Sequence, residues 1–84
     1  MYYTYILLSK NYRRTYTGHT SDLTKRLAAH NSGEVKSTKR FRPYEILLFE
    51  EFHNLEEAKI REIYYKDYRG RQRIKRLIEE RNPS

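Results

Sequence analysis

The order of hydrophobic and polar positions predicts two strands and a helix in the first part of the chain. Residues 2–8 are mainly aromatic and aliphatic, which is typical of a strand. A polar turn at 10–12 separates them from a second short strand at 14–18, so we expect a β-hairpin. A first helix is predicted over 22–31, with Ser21 as its N-cap and an Asn-Ser-Gly sequence ending it.

The strongest strand signal lies in the middle of the chain. A basic loop ending at Pro43 is followed by YEILLFEEF at 44–52, which we expect to be the central strand of the sheet. Asn54 stands three residues before Glu57, the pattern of a capping box. This pattern predicts that a second helix begins there and runs over about 55–68.

A third helix is predicted near the end of the chain. Gly70 is expected to break the second helix, after which 71–81 carry aliphatic residues on one side, and Pro83 follows. The resulting order, β-β-α-β-α-α, predicts an α/β fold with a three-stranded, mostly antiparallel sheet flanked by three helices. A chain of 84 residues predicts a single domain spanning 1–84.

Two polar residues occupy the apolar stripe of the first helix. Leu23 and Leu27 define this stripe, and Arg26 and His30 fall on it three and seven residues after Leu23. A guanidinium and an imidazole on a face that should be buried require an explanation. Taken alone, they are explained well enough by an arginine that snorkels to solvent and a hydrogen-bonded histidine at a helix end.

The second helix contains a similar ambiguity. One stripe through Ala58 and Tyr65 includes Glu62, which would then face the sheet. A competing stripe through Ile60 and Ile63 would leave Glu62 in solvent. Periodicity does not choose between a solvated carboxylate and a functional one.

Positive charge dominates the composition and is clustered. Lysine and arginine total 18 against 11 acidic residues, a formal net charge of +7, which favours a polyanionic partner such as nucleic acid. Two runs contain no acid, KSTKRFR at 36–42 and RGRQRIKR at 69–76. The candidate nucleic-acid-binding residues are Lys36, Lys39, Arg40, Arg42, Arg69, Arg71, Arg73, Lys75 and Arg76. Each run could instead be a solvated face, and neither suggests a membrane-binding helix.

Several absences narrow the class of protein that we expect. The chain has no cysteine, so disulfides and thiolate-bound metals are excluded. Its apolar runs are too short to span a membrane, and MYYTYILLSK lacks the features of a signal peptide. We therefore expect a soluble, cytoplasmic protein.

Tyrosine is unusually frequent, with nine residues against three phenylalanines and no tryptophan. Most of these rings should simply be packed, although exposed phenols can stack on bases or bind phosphates. Tyr5 and Tyr16 lie on adjacent strands of the predicted hairpin and could project from the same face. They would then lie close to the helix that carries Arg26 and His30.

The ordered set of these segments resembles the GIY-YIG nuclease domain. YTY at 3–5 stands for the first tripeptide of that family, and YTG at 16–18 for the second. DLTKRLAAHNSG is similar to the family's helix with arginine and histidine four apart, and EAKIRE at 57–62 to the segment with the metal-binding glutamate. The resemblance covers nearly the whole chain and looks closest to small, stand-alone, UvrC-like members.

The resemblance implies roles for five side chains. Tyr5 would help place the scissile phosphate and the attacking water, and Tyr16 would act as general base or orient the nucleophile. Because a phenol titrates near pH ~10, Arg26 would stabilise the phenolate and also hold a phosphate oxygen. His30 would relay a proton or hydrogen-bond Tyr16. Glu62 would hold a single divalent ion, Mg²⁺ or Mn²⁺.

The chain departs from the family pattern at three places. The first tripeptide lacks its glycine, and the family's distal asparagine has no match, since its position falls near Ile74 and Asn82 comes too late. His19 stands where UvrC-type domains carry a lysine. His19 is therefore a candidate phosphate or proton ligand, or simply a surface histidine.

Two functions are compatible with these residues. The resemblance implies a metal-dependent endonuclease that nicks or cuts DNA, with branched or damaged DNA as candidate substrates and repair or recombination as candidate pathways. The alternative is a non-catalytic DNA- or RNA-binding module on the same fold. A domain that acts only with a partner protein is a third option, and the oligomeric state stays open.

Overall fold

A computed structural model describes residues 1–81, and Asn82 and Pro83 lie outside the described residues. The elements are β1 (Tyr2–Ser9), β2 (Thr15–Thr20), α1 (Leu23–Ser32), a one-turn 3₁₀ helix (Lys39–Phe41), β3 (Tyr44–Phe52), α2 (Leu55–Lys66) and α3 (Tyr68–Arg81). The predicted α/β class and the order β-β-α-β-α-α are confirmed. Within residues 1–81, no helix combines the length and apolar character needed to cross a membrane.

The sheet is antiparallel throughout, with strand order β2-β1-β3. The expectation that 44–52 forms the central strand is wrong, because β1 lies between the other two. Tyr5, for example, lies opposite Gly18 on β2 and opposite Phe49 on β3. Both β1 and β3 are rich in apolar residues, and local composition does not specify which of them pairs on two sides.

Helices cover both faces of the sheet and create two small cores. Because side chains alternate along a strand, Tyr5 faces α1 and packs with Tyr44, whereas Ile6 faces α2 and α3 and packs with Tyr65 and Ile74. We refer to these as the α1 face and the α2 face. The edge strand β2 is therefore bordered by a different helix on each side.

The helix starts follow capping rules, with one shift from the prediction. The N-cap of α1 is Asp22 rather than Ser21, because the Asp22 carboxylate accepts the amide of Lys25 at 3.0 Å. The negative charge of Asp22 also interacts favourably with the partial positive charge at the start of the helix. The predicted cap at Asn54 is confirmed, since its side-chain oxygen accepts a first-turn amide of α2 at 2.9 Å.

The prediction that Gly70 breaks a helix is wrong. The break lies at Asp67, between α2 and α3, and Gly70 is buried inside α3. A Cβ added at Gly70 would lie only 2.2 Å from the carbonyl oxygen of Tyr64. Glycine therefore allows the start of α3 to pack directly on the backbone at the end of α2.

Candidate functional site

The structure turns the polar residues of α1 toward the sheet. His30 is completely buried, with 0% of its surface exposed, and Arg26 is half-buried. The His30 ring packs against three tyrosine rings, with centroid distances of 4.8 Å to Tyr16, 5.9 Å to Tyr5 and 6.3 Å to Tyr44. His30 therefore lies in an aromatic cage on the α1 face.

Tyr5 connects the two polar residues of α1. Its hydroxyl lies 2.9 Å from Nε2 of His30 and accepts a hydrogen bond from Nε of Arg26 at 3.3 Å. The hydrogen bond expected between His30 and Tyr16 is thus made to Tyr5 instead, while Tyr16 contacts His30 through its ring. Tyr5, Tyr16, Arg26 and His30 form one continuous cluster.

Gly18 explains how the Tyr5 hydroxyl reaches the edge of the sheet. The two residues are opposite each other on β1 and β2. A Cβ added at Gly18 would lie 2.7 Å from the Tyr5 hydroxyl oxygen and 2.9 Å from Cε2 of Tyr16. The missing side chain therefore provides the space in which both phenol rings lie over β2.

The ambiguity about α2 is resolved by burial. Ala58 is 0% exposed and Tyr65 1% exposed, whereas Ile60 and Ile63 are 65% and 68% exposed. The stripe that contains Glu62 is therefore the one that packs on the sheet. The alternative stripe of isoleucines faces solvent.

Glu62 is held by two side chains, a histidine on β2 and a lysine one turn further along α2. Its Oε1 lies 2.6 Å from Nδ1 of His19, and its Oε2 accepts a hydrogen bond from Nζ of Lys66 at 2.7 Å. Partial burial raises the pKa of Glu62, but the hydrogen bonds from Lys66 and His19 outweigh it and leave the pKa below its ordinary value. The carboxylate is therefore ionised at neutral pH.

The two groups of residues lie on opposite faces of β2 and meet at its edge. Strand alternation places Gly18 on the α1 face with Tyr5, and the next residue, His19, on the α2 face with Glu62. Burial raises the pKa of Tyr5 most strongly, the Arg26 hydrogen bond opposes this, and the negative charge of Glu62 adds a smaller increase. Glu62 thus lies across the edge strand from Tyr5, on the opposite face of β2.

Electrostatics fix the charge states on the α1 face. Burial, together with the positive charge of Arg26, lowers the pKa of His30 to about 4, so His30 is neutral at neutral pH. The hydrogen bond to Tyr5 raises the pKa of Arg26, and Tyr16 adds to that increase. The site therefore presents a permanent positive charge beside two phenols.

One buried side chain of this site was not predicted from the sequence. Thr38 is 2% exposed, and its Oγ1 lies 2.8 Å from Nδ1 of His30. It belongs to the run KSTKRFR, whose charges suggest a fully solvated segment. No signal in the sequence indicated this contact, because the short helix after Thr38 was not predicted and the Thr38 side chain does not cap it.

The structure separates the two predicted basic runs. All nine candidate residues are exposed, and within residues 1–81 none of them forms an ion pair with an acidic side chain. The first run lies in the loop between α1 and β3, and the second lies on α3, which packs on the α2 face.

A groove of about 780 Å³ lies between the hairpin turn and α3. Its apolar surface comes from Leu8, Ile74 and Ile78, and its cationic side chains are Lys10, Arg13, Arg71 and Lys75. Lys10 and Arg13 were not predicted as binding residues, because they lie in the turn, outside both basic runs. The groove combines charge from two distant parts of the chain.

The candidate site offers a divalent ion one acidic side chain, Glu62. Within residues 1–81, histidine and acidic side chains nowhere form a group of three or more that could hold a metal ion. Glu62 provides one ionised carboxylate, and Lys66, its partner, has a side chain 57% exposed that can turn away into solvent. A hard ion such as Mg²⁺ commonly binds one or two carboxylates and completes its shell with water and substrate phosphates. Glu62 fits this arrangement and would hold such an ion.

Comparison with known proteins identifies the family. The sequence profile described as the GIY-YIG catalytic domain matches residues 1–75. The chain belongs to the GIY-YIG family. This family consists of endonucleases that generally use divalent metal ions, so membership indicates a nucleic acid substrate.

Similar proteins of bacteria belong to one group of small proteins. The chain is 41% identical over 75 residues to UPF0213 protein CPE1444 of Clostridium perfringens, covering 88% of this chain and 80% of that protein. It is 38% identical over 81 residues to UPF0213 protein SH2523 of Staphylococcus haemolyticus, covering 95% and 96%. It is also 38% identical to UPF0213 protein YazA of Bacillus subtilis over 68 residues, covering 80% and 69%. No solved structure shows a significant match.

Proposed function

We propose that residues 1–84 form a single nuclease domain that hydrolyses phosphodiester bonds within DNA, with one Mg²⁺ or Mn²⁺ ion. The observation that carries the proposal is the arrangement around Gly18, where Tyr5, Tyr16 and Arg26 lie on one face of β2 and Glu62 on the other. An anion-binding guanidinium and an ionised carboxylate are thereby available at one edge of the sheet. Membership in a family of endonucleases supports the same activity.

Arg26 and Tyr16 are the side chains proposed to contact the reacting groups on the α1 face. Arg26 is charged and half-buried, and its fork of N–H donors suits a phosphate oxygen. Tyr16 is half-buried, whereas Tyr5 is only 1% exposed, so Tyr16 is the more accessible side chain of the two. Tyr16 would orient the attacking water or accept its proton.

Tyr5 and His30 are proposed to position the side chains that contact the substrate. Tyr5 holds the guanidinium of Arg26 and so helps place the phosphate and the attacking water. His30 is neutral and buried, so we assign it the orientation of Tyr5 rather than direct proton transfer to substrate.

Glu62 is the proposed metal ligand on the α2 face. When bound, the ion would stabilise the negative charge that develops on the leaving oxygen. Contacts with His19 and Lys66 keep the Glu62 carboxylate ionised and fixed beside the edge strand. The His19 ring is one-third exposed, 33%, which keeps it a candidate contact for a substrate phosphate.

The exposed lysine and arginine side chains would bind the nucleic acid, and they lie on more than one face of the domain. The α3 run and the hairpin turn meet in the groove that contains Arg13 and Arg71. Binding should weaken steeply with salt, since each phosphate contact releases counterions. The proposed substrates are branched and damaged DNA, and RNA serves as the comparison substrate. The proposed setting is DNA repair or recombination in the cytoplasm.

A second function, binding without cleavage, is favoured by two observations. Each carboxylate oxygen of Glu62 already has a partner, His19 or Lys66, so a metal ion would have to share or displace one of these contacts. In addition, the family's distal asparagine has no counterpart near Ile74. A chain in which these contacts persist would bind DNA or RNA without cutting it.

Cleavage assays with matched variants distinguish the two functions. Wild type, Tyr16→Phe and Glu62→Gln are incubated with supercoiled and branched DNA in Mg²⁺ or Mn²⁺, and Glu56→Gln serves as an exposed control on the same helix. We expect metal-dependent cleavage by wild type and the control, reduced by ~10²-fold or more in the other two, with DNA affinity retained. The same low background in all four proteins, with intact binding, would instead support the binding module.

A further inference from the structure

A chain of hydrogen bonds connects the loop after α1 to the guanidinium of Arg26. Starting from the loop, Oγ1 of Thr38 lies 3.3 Å from the carbonyl oxygen of Val35 and 2.8 Å from Nδ1 of His30. On its other side, Nε2 of His30 lies 2.9 Å from the Tyr5 hydroxyl, which accepts from Arg26 Nε at 3.3 Å. The three middle residues are buried, so each of their polar hydrogens needs an acceptor within the protein.

The direction of this chain follows from its Arg26 end. A guanidinium only donates, so the Tyr5 oxygen must be the acceptor of that bond. The hydrogen of the Tyr5 hydroxyl then has a single acceptor among the described residues, Nε2 of His30. Because His30 is neutral, a lone pair on Nε2 places its one ring proton on Nδ1. That N–H donates to Thr38, which in turn donates to Val35.

The reverse direction does not satisfy the same groups. If Thr38 donated to Nδ1, the His30 proton would lie on Nε2 and point at the Tyr5 oxygen. The Tyr5 hydrogen would then have no acceptor within residues 1–81, because its other neighbour, Arg26, is a donor. An unsatisfied buried hydroxyl is costly, typically ~1–3 kcal/mol.

We propose that Thr38 is a positioning residue that fixes His30 in the Nδ1–H tautomer and thereby holds the Arg26 guanidinium through Tyr5. Thr38 touches no reacting atom. Because its hydrogen goes to the Val35 carbonyl, its hydroxyl oxygen accepts from Nδ1 and so stabilises the tautomer in which Nε2 accepts from Tyr5. The role of Thr38 in cleavage rests on the proposed function, whereas the tautomer and the Arg26 contact do not.

Nuclear magnetic resonance tests the hydrogen-bond direction without any substrate. Imidazole nitrogens of ¹⁵N-labelled wild type are recorded from pH 7 to pH 5, with His30→Gln used to assign the signals among the three histidines. We expect a protonated Nδ1 and an unprotonated Nε2 for His30 across this range. A wild-type His30 with its proton on Nε2 would overturn the proposal, and this measurement requires no Thr38 variant to fold.

Two substitutions at position 38 separate the hydroxyl from the shape of the side chain. Thr38→Val removes the hydroxyl with little change in volume, and Thr38→Ser keeps it. In Thr38→Val we expect His30 to lose its single tautomer and Arg26 Nε–H to exchange with solvent about 10-fold faster, the equivalent of one hydrogen bond. Thr38→Ser should keep the wild-type signals. Unchanged signals in a folded Thr38→Val protein would refute the role.

The catalytic consequence has its own measurement. If wild type cleaves DNA, kcat should fall on the order of 10-fold to 10²-fold in Thr38→Val, whereas Thr38→Ser stays close to wild type. Wild-type kcat in a folded Thr38→Val protein would refute this consequence. An inactive wild type, together with the expected His30 and Arg26 signals in wild type and Thr38→Val, would contradict the proposed endonuclease and leave the positioning of Arg26 supported.

Discussion

The buried His30 should make the stability of the domain depend on pH above the range where carboxylates titrate. Burial and the charge of Arg26 lower its pKa in the folded protein to about 4 from the ordinary 6.5. Between these values the unfolded chain binds a proton that the folded protein does not. Stability is therefore complete above about pH 6.5 and decreases as the pH falls toward 4.

The size of this effect follows from the difference between the two pKa values. At pH 5 an unfolded histidine is almost fully protonated and His30 in the fold is not, which costs about 2 kcal/mol relative to pH 7. The lowered pKa values of Glu50 and Glu62 act in the same direction, but their contribution is lost as the pH falls below the ordinary 4.5 and through their folded values. The pH 7 to pH 5 interval therefore isolates histidines.

Urea unfolding at pH 7 and pH 5, followed by circular dichroism at constant ionic strength, measures this loss. His30→Gln should be less stable at pH 7 but should lack about 2 kcal/mol of the pH dependence of wild type. His53→Gln, which removes an exposed histidine between β3 and α2, should keep it. If His30→Gln and wild type show the same pH dependence, the assignment of a buried neutral histidine is refuted.

Three further substitutions have expected outcomes. Gly18→Ala places a Cβ 2.7 Å from the Tyr5 hydroxyl, so DNA cleavage should fall by ~10²-fold, and unaltered cleavage rates would contradict the close approach. Gly70→Ala places a Cβ 2.2 Å from the backbone oxygen of Tyr64, so the free energy of unfolding measured in urea should decrease by about 3 kcal/mol. A decrease smaller than about 1 kcal/mol would contradict this packing. Arg13→Ala should lower the slope of log affinity against log salt by about 1 in fluorescence anisotropy, and an identical slope would exclude the groove from the DNA interface.

Local patterns predicted the elements well where the signal was itself local. The strand predicted at 44–52 has the bounds of β3, Tyr44–Phe52, because its apolar run is bordered by Pro43 and by the cap at Asn54. The hairpin of β1 and β2 was predictable because the polar turn between its two strands is also a local signal. Each of these features depends on residues that are neighbours along the chain.

Features that depend on distant packing were predicted wrongly. Gly70 has the low helix propensity that usually ends a helix, yet it lies within α3 because the backbone of Tyr64 passes where a side chain would be. The central position of β1 is likewise a tertiary property. Two apolar strands look alike until their partners are known, and only the pairing of Tyr5 with Gly18 and Phe49 distinguishes them.

The residues of the candidate site also differ in whether local sequence or distant packing determines their position. Arg26 and His30 were noticeable because they interrupt an apolar stripe, and this irregularity is visible in the sequence. The orientation of Glu62 was ambiguous, because two stripes competed until burial separated them. Thr38 was missed because its contact with His30 joins α1 to a loop eight residues away, within a segment whose charges suggested solvent.

The location of the candidate site beside the edge strand β2 has a consequence for how a polymer could be attacked. The domain is a thin slab, with a smallest dimension of 17 Å. A reactive group at the edge of a thin domain can approach the sugar–phosphate backbone of an uncut strand from the side. For the proposed activity, no chain terminus would have to thread into an enclosed tunnel, so scission in the interior of a long or circular substrate is geometrically open.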